Sequence, residues 1–487
     1  MSVLTRNRIL AASLVLATTI AVAGCSSDSS QPGGQKTLDL EIGNLVPLSG
    51  VEEPFGATGQ KATDLAVTEI RNAIKETKSD HTVSIDHQNY RSEPKLAQDL
   101  ASRLIRGGKT CLVGPWSTAS VIPIGTEVAP QKKVVTITPA AGNDALRTLS
   151  IGGYVARTIP PASLQGKALA TLIARELGSP RKKKVSIGAL QNLYGNDLVK
   201  SFSAAWRERG GKVAARVLYE QNLPDYKKQA RELVAPNPDA FVFFDFLQTY
   251  TRVATELIKT KKWKASRSFA SDSLAISTLG QSGGVTVEGL RGVAPSAPRI
   301  GPAAKAFERL WLAEGAPRYQ QPFDTQAFDA TVLCYLSAVA AGSTNGSNIR
   351  KWVRRVSSPP GTKYTWQQLP AAIKALEAGK EIDYQGASGP IDIQPLDLTE
   401  PGDPTAGFYD AYRFKDARLT VYGTLSVPPG KRRVEPIPIQ YITPRVPGVG
   451  PLPKPRVGAT GATGASGASG ANGKGAKTKK KKSSKNN

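Results

Sequence analysis

Short apolar runs alternate with longer amphipathic stretches between about Thr37 and Leu425. At the start of this region Leu38, Leu40 and Ile42 alternate with polar residues, and this period of two predicts a β-strand. From about Gly59 the apolar positions recur every three or four residues, which predicts an amphipathic helix. Because this order of strand and helix repeats with short connections, the sequence indicates an α/β fold.

The alternation of predicted strands and helices occurs in two runs along the chain, and the segment YVARTIPP separates them. The first run has predicted strands at LDLEIGNLV, TVSIDHQNY, KTCLVG and KVVTITP, and helices that begin near Gly59, Pro94 and Val121. The second run has predicted helices at 165–177, 196–209, 226–234 and 249–260, and strands at VSIGAL, KVAARVLY, AFVFFDF and RSFAS. Each run predicts one doubly wound lobe, whose ligand-binding loops lie at the carboxyl ends of its strands.

The N-terminal residues 1–24 have the pattern of a cleaved signal peptide. Arginines precede an apolar run that ends near Val22 and is too short to span a bilayer stably. The ending Val-Ala-Gly-Cys resembles the bacterial lipobox, which implies a lipid on Cys25 that anchors the chain to the cell membrane. Residues 25–36 then form a flexible tether to an extracytoplasmic domain. The alternative is an ordinary signal peptide with an incidental cysteine.

Composition changes in the C-terminal part of the chain. Residues 427–457 are rich in proline, which disfavours helix and central strand and predicts an extended linker. Residues 458–487 carry glycine at every third position as far as Gly473, followed by a lysine-rich end. Because this repeat lacks proline, we predict a disordered cationic tail rather than a collagen helix. The tail either binds an anionic envelope polymer or anionic lipid, or is a solubilising extension without a specific partner.

The net charge of +25 would ordinarily suggest nucleic acid as a partner. Export separates this chain from nucleic acid, so we expect no such partner.

The candidate chemistry argues against an enzyme. Cys111 and Cys334 are the only cysteines besides Cys25, which is too few for a metal cluster of thiolates. These two cysteines either pair or are buried separately, and their apolar surroundings favour separate burial. Neither histidine neighbours a nucleophile motif. We therefore expect no catalysis, no metal and no cofactor.

Several sequence segments between about Leu40 and Leu425 resemble segments of the type I periplasmic binding proteins of the Leu/Ile/Val-binding group. They occur in the same order as in that family. IGNLVPLSGVEEPFGATGQKATDLAVTEI is similar to the family's first strand, glycine loop and first helix. LVGPWSTASVIPIGTEVAPQKKVVTITPAAG resembles the two loops that hold the ligand and the strand between them. LYGNDLVKSF and PNPDAFVFF resemble parts of the second lobe, and YQGASGPIDI resembles the phrase near the third crossing between lobes.

The resemblance implies periplasmic binding protein fold type I, in which three crossing segments join two doubly wound lobes. Lobe 1 is then expected to comprise 37–155 and about 294–385, and lobe 2 to comprise 156–293 and about 386–426. The family captures a small-molecule, amino acid-like ligand by closing its lobes and delivers the ligand to an ABC permease. Two rival functions are a ligand-sensing protein of the same fold and an envelope-attached scaffold that uses the lysine tail.

Nine positions of this chain correspond to binding positions of the family, and Phe246 is added as a bulky residue that suits an apolar side group. Thr118, with Ser117 before it, falls where a hydroxyl and a backbone N–H hold the α-carboxylate of an amino acid. Asp272 falls where an acidic residue neutralises the α-ammonium. Gly142 departs from the pattern, because the family often has a hydroxyl residue there. The complete set of expected ligand-binding residues is Phe55, Trp116, Ser117, Thr118, Ala140, Ala141, Gly142, Tyr194, Phe246 and Asp272.

Bulky aromatic residues in this set suit an apolar amino acid or a related aromatic or amide compound. Three of the residues also have a simpler explanation. Trp116 is equally compatible with packing between a loop and a helix. Thr118 is compatible with capping of a helix that starts near Val121, and Asp272 with capping of another helix.

Overall fold

The computed structural model describes residues 37–149, 152–298, 302–315, 321–395, 398, 402–428 and 435–437. Cys25, the signal peptide, the tether, the lysine tail and most of the proline-rich linker lie outside the described residues, so the assignments made there stay predictions. Within the described ranges, no helix is both long and apolar enough to cross a bilayer.

The strands of the described chain form two large sheets and two small ones. In chain order they are β1 Leu38–Val46, β2 His81–Asn89, β3 Cys111–Val113, β4 Val135–Thr138, β5 Val155–Arg157, β6 Lys184–Leu190, β7 Lys212–Tyr219, β8 Ala240–Phe244, β9 Ser268–Ala270, β10 Arg291–Ser296, β11 Thr362–Thr365, β12 Ile382–Gly386, β13 Gly389–Pro390, β14 Ile393–Gln394, β15 Asp403–Pro404, β16 Gly407–Lys415, β17 Arg418–Val427 and β18 Glu435–Ile437.

Helices connect most of the parallel strands. In chain order they are α1 Gly56–Thr77, α2 Pro94–Arg106, α3 Thr118–Pro123, α4 Ala129–Lys132, α5 Ala162–Leu177, α6 Leu193–Glu208, α7 Lys227–Val234, α8 Leu247–Lys259, α9 Ser277–Gly283, α10 Pro302–Ala313, α11 Asp324–Ala341, α12 Gly346–Ile349 and α13 Leu369–Glu377.

The predicted apolar face of the first helix agrees with its packing. The positions that recur every three or four residues are all buried in α1, and they are Ala62, Leu65, Ala66, Ile70, Ala73 and Ile74. They contribute to the largest hydrophobic core cluster together with residues of β1 and α11. Helix α11 packs against α1 and is buried on all sides from Asp324 to Val339, which explains why its sequence shows no polar stripe.

Lobe 1 is built around a parallel sheet with the strand order β2-β1-β3-β4-β5. Lobe 2 is built around the sheet β18-β17-β16-β10-β9-β8-β6-β7, in which β6 to β10 are parallel and β16 to β18 are antiparallel additions. In both sheets the first strand lies between the second and the third, which places the switch point of an open α/β sheet beside β1 and β3 and beside β6 and β8.

The chain passes between the lobes three times. It leaves lobe 1 after β5, returns after β10 to form α10 and α11, and enters lobe 2 again before β16. The predicted fold class, two doubly wound α/β lobes joined by three crossing segments, agrees with this topology. The exact residue boundaries of the lobes stay a prediction.

Cys111 and Cys334 form a disulfide bond, with their Cα atoms 6.0 Å apart. The favoured sequence expectation of two separately buried thiols is therefore wrong. Both cysteines are fully buried, as their apolar surroundings indicate, but one lies on the central strand β3 and the other on the helix that covers the same sheet. Sequence spacing carries no information on this contact, because 223 positions separate the two residues.

The helix that follows β3 begins at Thr118, three residues earlier than expected. Ser117 has the extended backbone of an N-cap residue, and Thr118 is the first helical residue. The alternative that Thr118 caps a helix starting near Val121 is therefore wrong. Helical backbone continues past α3 through a π-helical turn at Ile124–Val128 into α4.

Candidate functional site

A cavity of about 200 Å³ lies where loops of both lobes meet. Its walls come from the segments that follow the carboxyl ends of β1 to β5 in lobe 1 and of β6, β8 and β9 in lobe 2, and from Phe323 at the start of α11. This is the position that open α/β sheets use for ligands. Nine of the ten predicted ligand-binding residues line this cavity, namely Phe55, Trp116, Ser117, Thr118, Ala140, Gly142, Tyr194, Phe246 and Asp272.

Ala141, the tenth predicted residue, does not line the cavity. It is buried, and its carbonyl accepts a hydrogen bond of 3.1 Å from Nη1 of Arg157. The same nitrogen donates to the carbonyl of Asn143 at 2.9 Å, and Arg157 Nε donates to Oδ1 of Asp403 at 2.7 Å. Arg157 thus fixes the backbone of the loop that contributes Ala140, Gly142 and Asn143 to the cavity wall.

The lobe 1 wall is an aromatic cluster. Phe323, at the start of α11, meets Phe55 edge to face with ring centroids 5.3 Å apart, and it meets Trp116 in the same way at 5.9 Å. The indole of Trp116 also lies against α1 at Gly59. Trp116 therefore both packs between loop and helix and lines the cavity, so the two sequence interpretations of this residue are compatible.

Gly59 is the residue that allows the Trp116 ring to lie against α1. A Cβ atom at Gly59 would be 2.2 Å from Cζ2 and Cη2 of Trp116, and the ring would have to move. We expect Gly59→Ala to lower the free energy of unfolding by about 1–3 kcal/mol through overpacking. Urea denaturation measures this change. Gly423→Ala is the control, because its Cβ would make an ordinary contact at 3.4 Å; equal stability of the two variants would contradict the packing.

The lobe 2 wall carries a polar cluster around Tyr194. Its hydroxyl donates to Oδ1 of Asp272 at 2.7 Å, and Nε2 of Gln165 donates to the same oxygen at 2.7 Å. Burial raises the pKa of Asp272, while the hydrogen bonds from Tyr194, Gln165 and its local backbone act in the opposite direction. The backbone contacts mean that Asp272 also supports its own turn. The Tyr194 ring packs on Phe246 with centroids 5.3 Å apart.

Sequence reasoning missed several cavity residues, of which Glu52 and Phe323 are the most informative. Glu52 directly precedes the turn that holds Phe55, and its carboxyl accepts a hydrogen bond from the hydroxyl of Tyr90. Burial raises the pKa of the Glu52 carboxyl to about 7, against the effect of its hydrogen bonds with Tyr90 and Ser117. An acidic residue in a loop is ordinarily exposed, so only the tertiary structure indicates its burial.

The chemistry of the cavity suits binding rather than reaction. Among the described residues, no group of three or more His, Cys, Asp or Glu side chains is placed to hold a metal ion. The walls combine aromatic rings with hydroxyl, amide and carboxyl groups. These groups can hold a small ligand that has both polar and apolar parts.

Comparison with known proteins agrees with this architecture. The family model of the periplasmic binding proteins matches residues 39–397. Chemotactic signal transduction system substrate-binding protein BasB of Halobacterium salinarum is 24% identical over 385 residues, which cover 76% of this chain and 86% of BasB. Leu/Ile/Val-binding protein homolog 3 of Brucella melitensis is 22% identical over 386 residues, which cover 78% of this chain and 93% of the relative.

A solved structure of the leucine-binding protein LivK from Thermotoga maritima has the same fold. It matches with a TM-score of 0.63 at 21% sequence identity, and the match covers 79% of this chain and 98% of LivK. The relatives are solute-binding proteins of an extracytoplasmic family and not enzymes. The chain belongs to the periplasmic binding protein family and has the two-lobed type I fold.

Proposed function

We propose that this protein is the solute-binding subunit of an ABC importer and captures an amino acid, or a related small apolar or aromatic compound, by closure of its lobes. The observation that carries the proposal is the cavity to which both lobes contribute aromatic walls and polar groups. Because crossing segments join the two lobes, a hinge movement in these segments opens and closes such a cavity.

The polar groups of the cavity suit the two charged ends of an amino acid. Ser117 and Thr118, at the start of α3, line the cavity, and their side-chain hydroxyl groups suit an α-carboxylate. Asp272 lies on the opposite lobe, where its carboxylate suits an α-ammonium. The aromatic cluster of Phe55, Trp116 and Phe323 then encloses the side group.

The proposal includes attachment to the membrane. A lipid on Cys25 keeps the binding domain near the permease, and the tether between Cys25 and the first strand allows it to reach the permease. The lysine-rich tail provides a second contact, with anionic polymers of the envelope.

Mass spectrometry of the ligand retained by the purified chain, followed by calorimetric titration against an amino acid panel, tests the proposed binding. We expect saturable binding, and we expect Asp272→Asn to weaken it at least tenfold, a loss of about 1.4 kcal/mol. Asp99→Asn is a matched control, since Asp99 lies on the surface in a pair with Lys95. Saturable binding of sugars alone would contradict the proposal.

Ligand sensing is a second candidate function, because the relative BasB is named as part of a chemotactic signal transduction system. The two functions share the binding step and differ in the use made of the bound ligand. Uptake of labelled ligand by cells that lack this gene distinguishes them. An importer subunit is required for uptake, whereas a sensor changes the behavioural response and leaves uptake intact.

A further inference from the structure

The end of lobe 2 that lies away from the cavity carries a cluster of exposed cations. The cavity is at the carboxyl ends of β6, β8 and β9, so the loops that precede these parallel strands lie at the opposite end of the sheet. The exposed cations of these loops and of the start of β7 are Arg181, Lys182, Lys212, Lys261, Lys262 and Lys264. These six residues are called the basic surface of lobe 2.

The segments that carry the basic surface are neighbours in the fold. The backbone N–H of Lys212 donates to the carbonyl of Lys183 at 2.8 Å, which joins the segments before β6 and β7. The Arg267 guanidinium donates to the carbonyl of Pro238, which joins the segments before β8 and β9. Adjacent strands in the order β9-β8-β6-β7 are about 4.8 Å apart, which is less than the Debye length of about 8 Å at physiological ionic strength. The charges of adjacent segments therefore act together.

Acidic residues neutralise little of this surface. Asp239, in the loop before β8, is already bound, because its Oδ1 lies 3.1 Å from Nζ of Lys183 and its Oδ2 accepts the backbone N–H of Lys184 at 2.9 Å. Within the described part of the chain, none of the six cations of the basic surface forms an ion pair. Residues 156–293 contain 22 lysines and arginines against 11 aspartates and glutamates, so cations are in excess throughout this segment.

The position of the basic surface favours a polymer over the membrane as its partner. Strand β1 begins at the amino end of the lobe 1 sheet, so the predicted tether from Cys25 leaves the binding domain there. Loops after the carboxyl ends of both sheets line the same cavity, so the amino ends of the two sheets lie at the two far ends of the domain. A lipid on Cys25 would therefore hold lobe 1 near the membrane and leave the basic surface directed into the envelope.

From these contacts we propose that the basic surface of lobe 2 binds a linear anionic polymer of the cell envelope, at a site separate from the ligand cavity. Cations spaced along the ends of neighbouring strands match a chain of repeated anionic groups, and their binding releases the counterions that such a chain condenses. The surface belongs to the folded domain, so it is distinct from the contact proposed for the lysine-rich tail. It does not depend on the solute that the cavity holds.

The simpler role of such a surface is to keep the protein soluble, in which case the net charge matters and the position of the lysines does not. Two triple variants of equal net charge separate these roles. The test variant combines Lys182→Gln, Lys212→Gln and Lys264→Gln. The control variant removes three exposed lysines of lobe 1 by Lys75→Gln, Lys351→Gln and Lys374→Gln.

Binding of the full-length protein to inorganic polyphosphate, measured by fluorescence anisotropy at several salt concentrations, tests the proposal. We expect the test variant to bind at least tenfold more weakly than the unaltered protein, and the control variant to differ from it less than threefold. The slope of log affinity against log salt should fall by about two in the test variant, because each contact with a single-stranded polyanion contributes about 0.7. All three proteins contain the lysine-rich tail, so the differences between them report on the folded surface.

Equal weakening in the two triple variants would overturn the proposal, because net charge would then govern binding. An unchanged affinity of the test variant would also overturn it, since the tail would then account for all of the binding. Vesicles of phosphatidylglycerol and phosphatidylcholine are the second arm of the experiment. Tighter binding to these vesicles than to polyphosphate, with a larger loss in the test variant than in the control, would assign the surface to the membrane instead.

Lysine acetylation followed by mass spectrometry tests the unaltered protein, so the proposal stays testable even if the triple variant fails to fold. Bound polyphosphate is expected to slow the acetylation of Lys182, Lys212 and Lys264 at least threefold more than that of the three control lysines in lobe 1. Equal protection of the two sets would overturn the proposal.

Discussion

Replacement of Asp329 by alanine is expected to lower the free energy of unfolding by about 3–5 kcal/mol. Asp329 lies on α11, is fully buried and accepts four hydrogen bonds. The donors are the hydroxyl of Tyr384 at 2.8 Å, the backbone N–H groups of Ala387 at 2.7 Å and Ser388 at 2.8 Å, and the hydroxyl of Ser388 at 2.5 Å. Alanine leaves these donors buried without an acceptor, which is the origin of the cost.

The same contacts connect α11 to the turn between β12 and β13, where the third crossing between lobes is predicted to begin. Urea denaturation of Asp329→Ala measures the stability change. Ser388→Ala removes one of the four hydrogen bonds and is expected to cost about 1 kcal/mol. A loss below about 1 kcal/mol for Asp329→Ala would show that the four hydrogen bonds do not stabilise this junction.

Arg157→Met is expected to have an effect of similar size, about 3–5 kcal/mol, because it breaks a buried ion pair from one side. Arg157 is 2% exposed, and its Nη2 atom lies 2.6 Å from Oδ1 of Asp403. Methionine fills the space but removes the positive charge that lies beside the buried Asp403 carboxylate. It also removes the donor of hydrogen bonds to two loop carbonyls. We also expect weaker ligand binding, since that loop forms part of the cavity wall.

Arg147→Met is the matched control for this variant. Arg147 binds the other carboxylate oxygen of Asp403 at 2.8 Å, but its side chain is 53% exposed. Ion pairs that solvent reaches contribute about 1 kcal/mol or less, so the control is expected to be nearly as stable as the unaltered protein. Thermal unfolding of both variants, together with ligand titration, measures the difference. Equal losses of stability in the two variants would contradict the role of burial.

Much of the fold can be predicted from local pattern. The apolar face of α1 can be identified residue by residue, because one side of a helix on a sheet is buried along its whole length. The cavity residues can be placed for a related reason. Loops that follow neighbouring parallel strands converge at one edge of a sheet, so Tyr194 after β6 and Phe246 after β8 come together although they are distant in sequence.

The features that local pattern does not predict depend on contacts between distant segments. Phe323 reaches the cavity because α11 packs on α1, and nothing in its neighbouring sequence indicates that contact. Ala141 is expected at the cavity because its neighbours are there, but the buried guanidinium of Arg157 turns its carbonyl away. The sequence around Glu52 does not indicate that this residue is buried. Its carboxyl bonds to Tyr90, which follows another strand, so the burial depends on a contact between distant segments.

The disulfide between Cys111 and Cys334 closes a covalent ring within the chain. It joins the first segment of lobe 1 to the segment that returns after β10, so β6 to β10 of lobe 2 lie inside one covalent ring, and β16 to β18 of the same sheet lie outside it. Both cysteines belong to lobe 1, and the bond therefore leaves the lobes free to move relative to each other. The part of lobe 2 that contains β6 to β10 is, in covalent terms, a loop inserted into lobe 1, and a cut within this part leaves both segments of lobe 1 attached. An oxidising compartment outside the cytoplasm is where such a ring forms and persists.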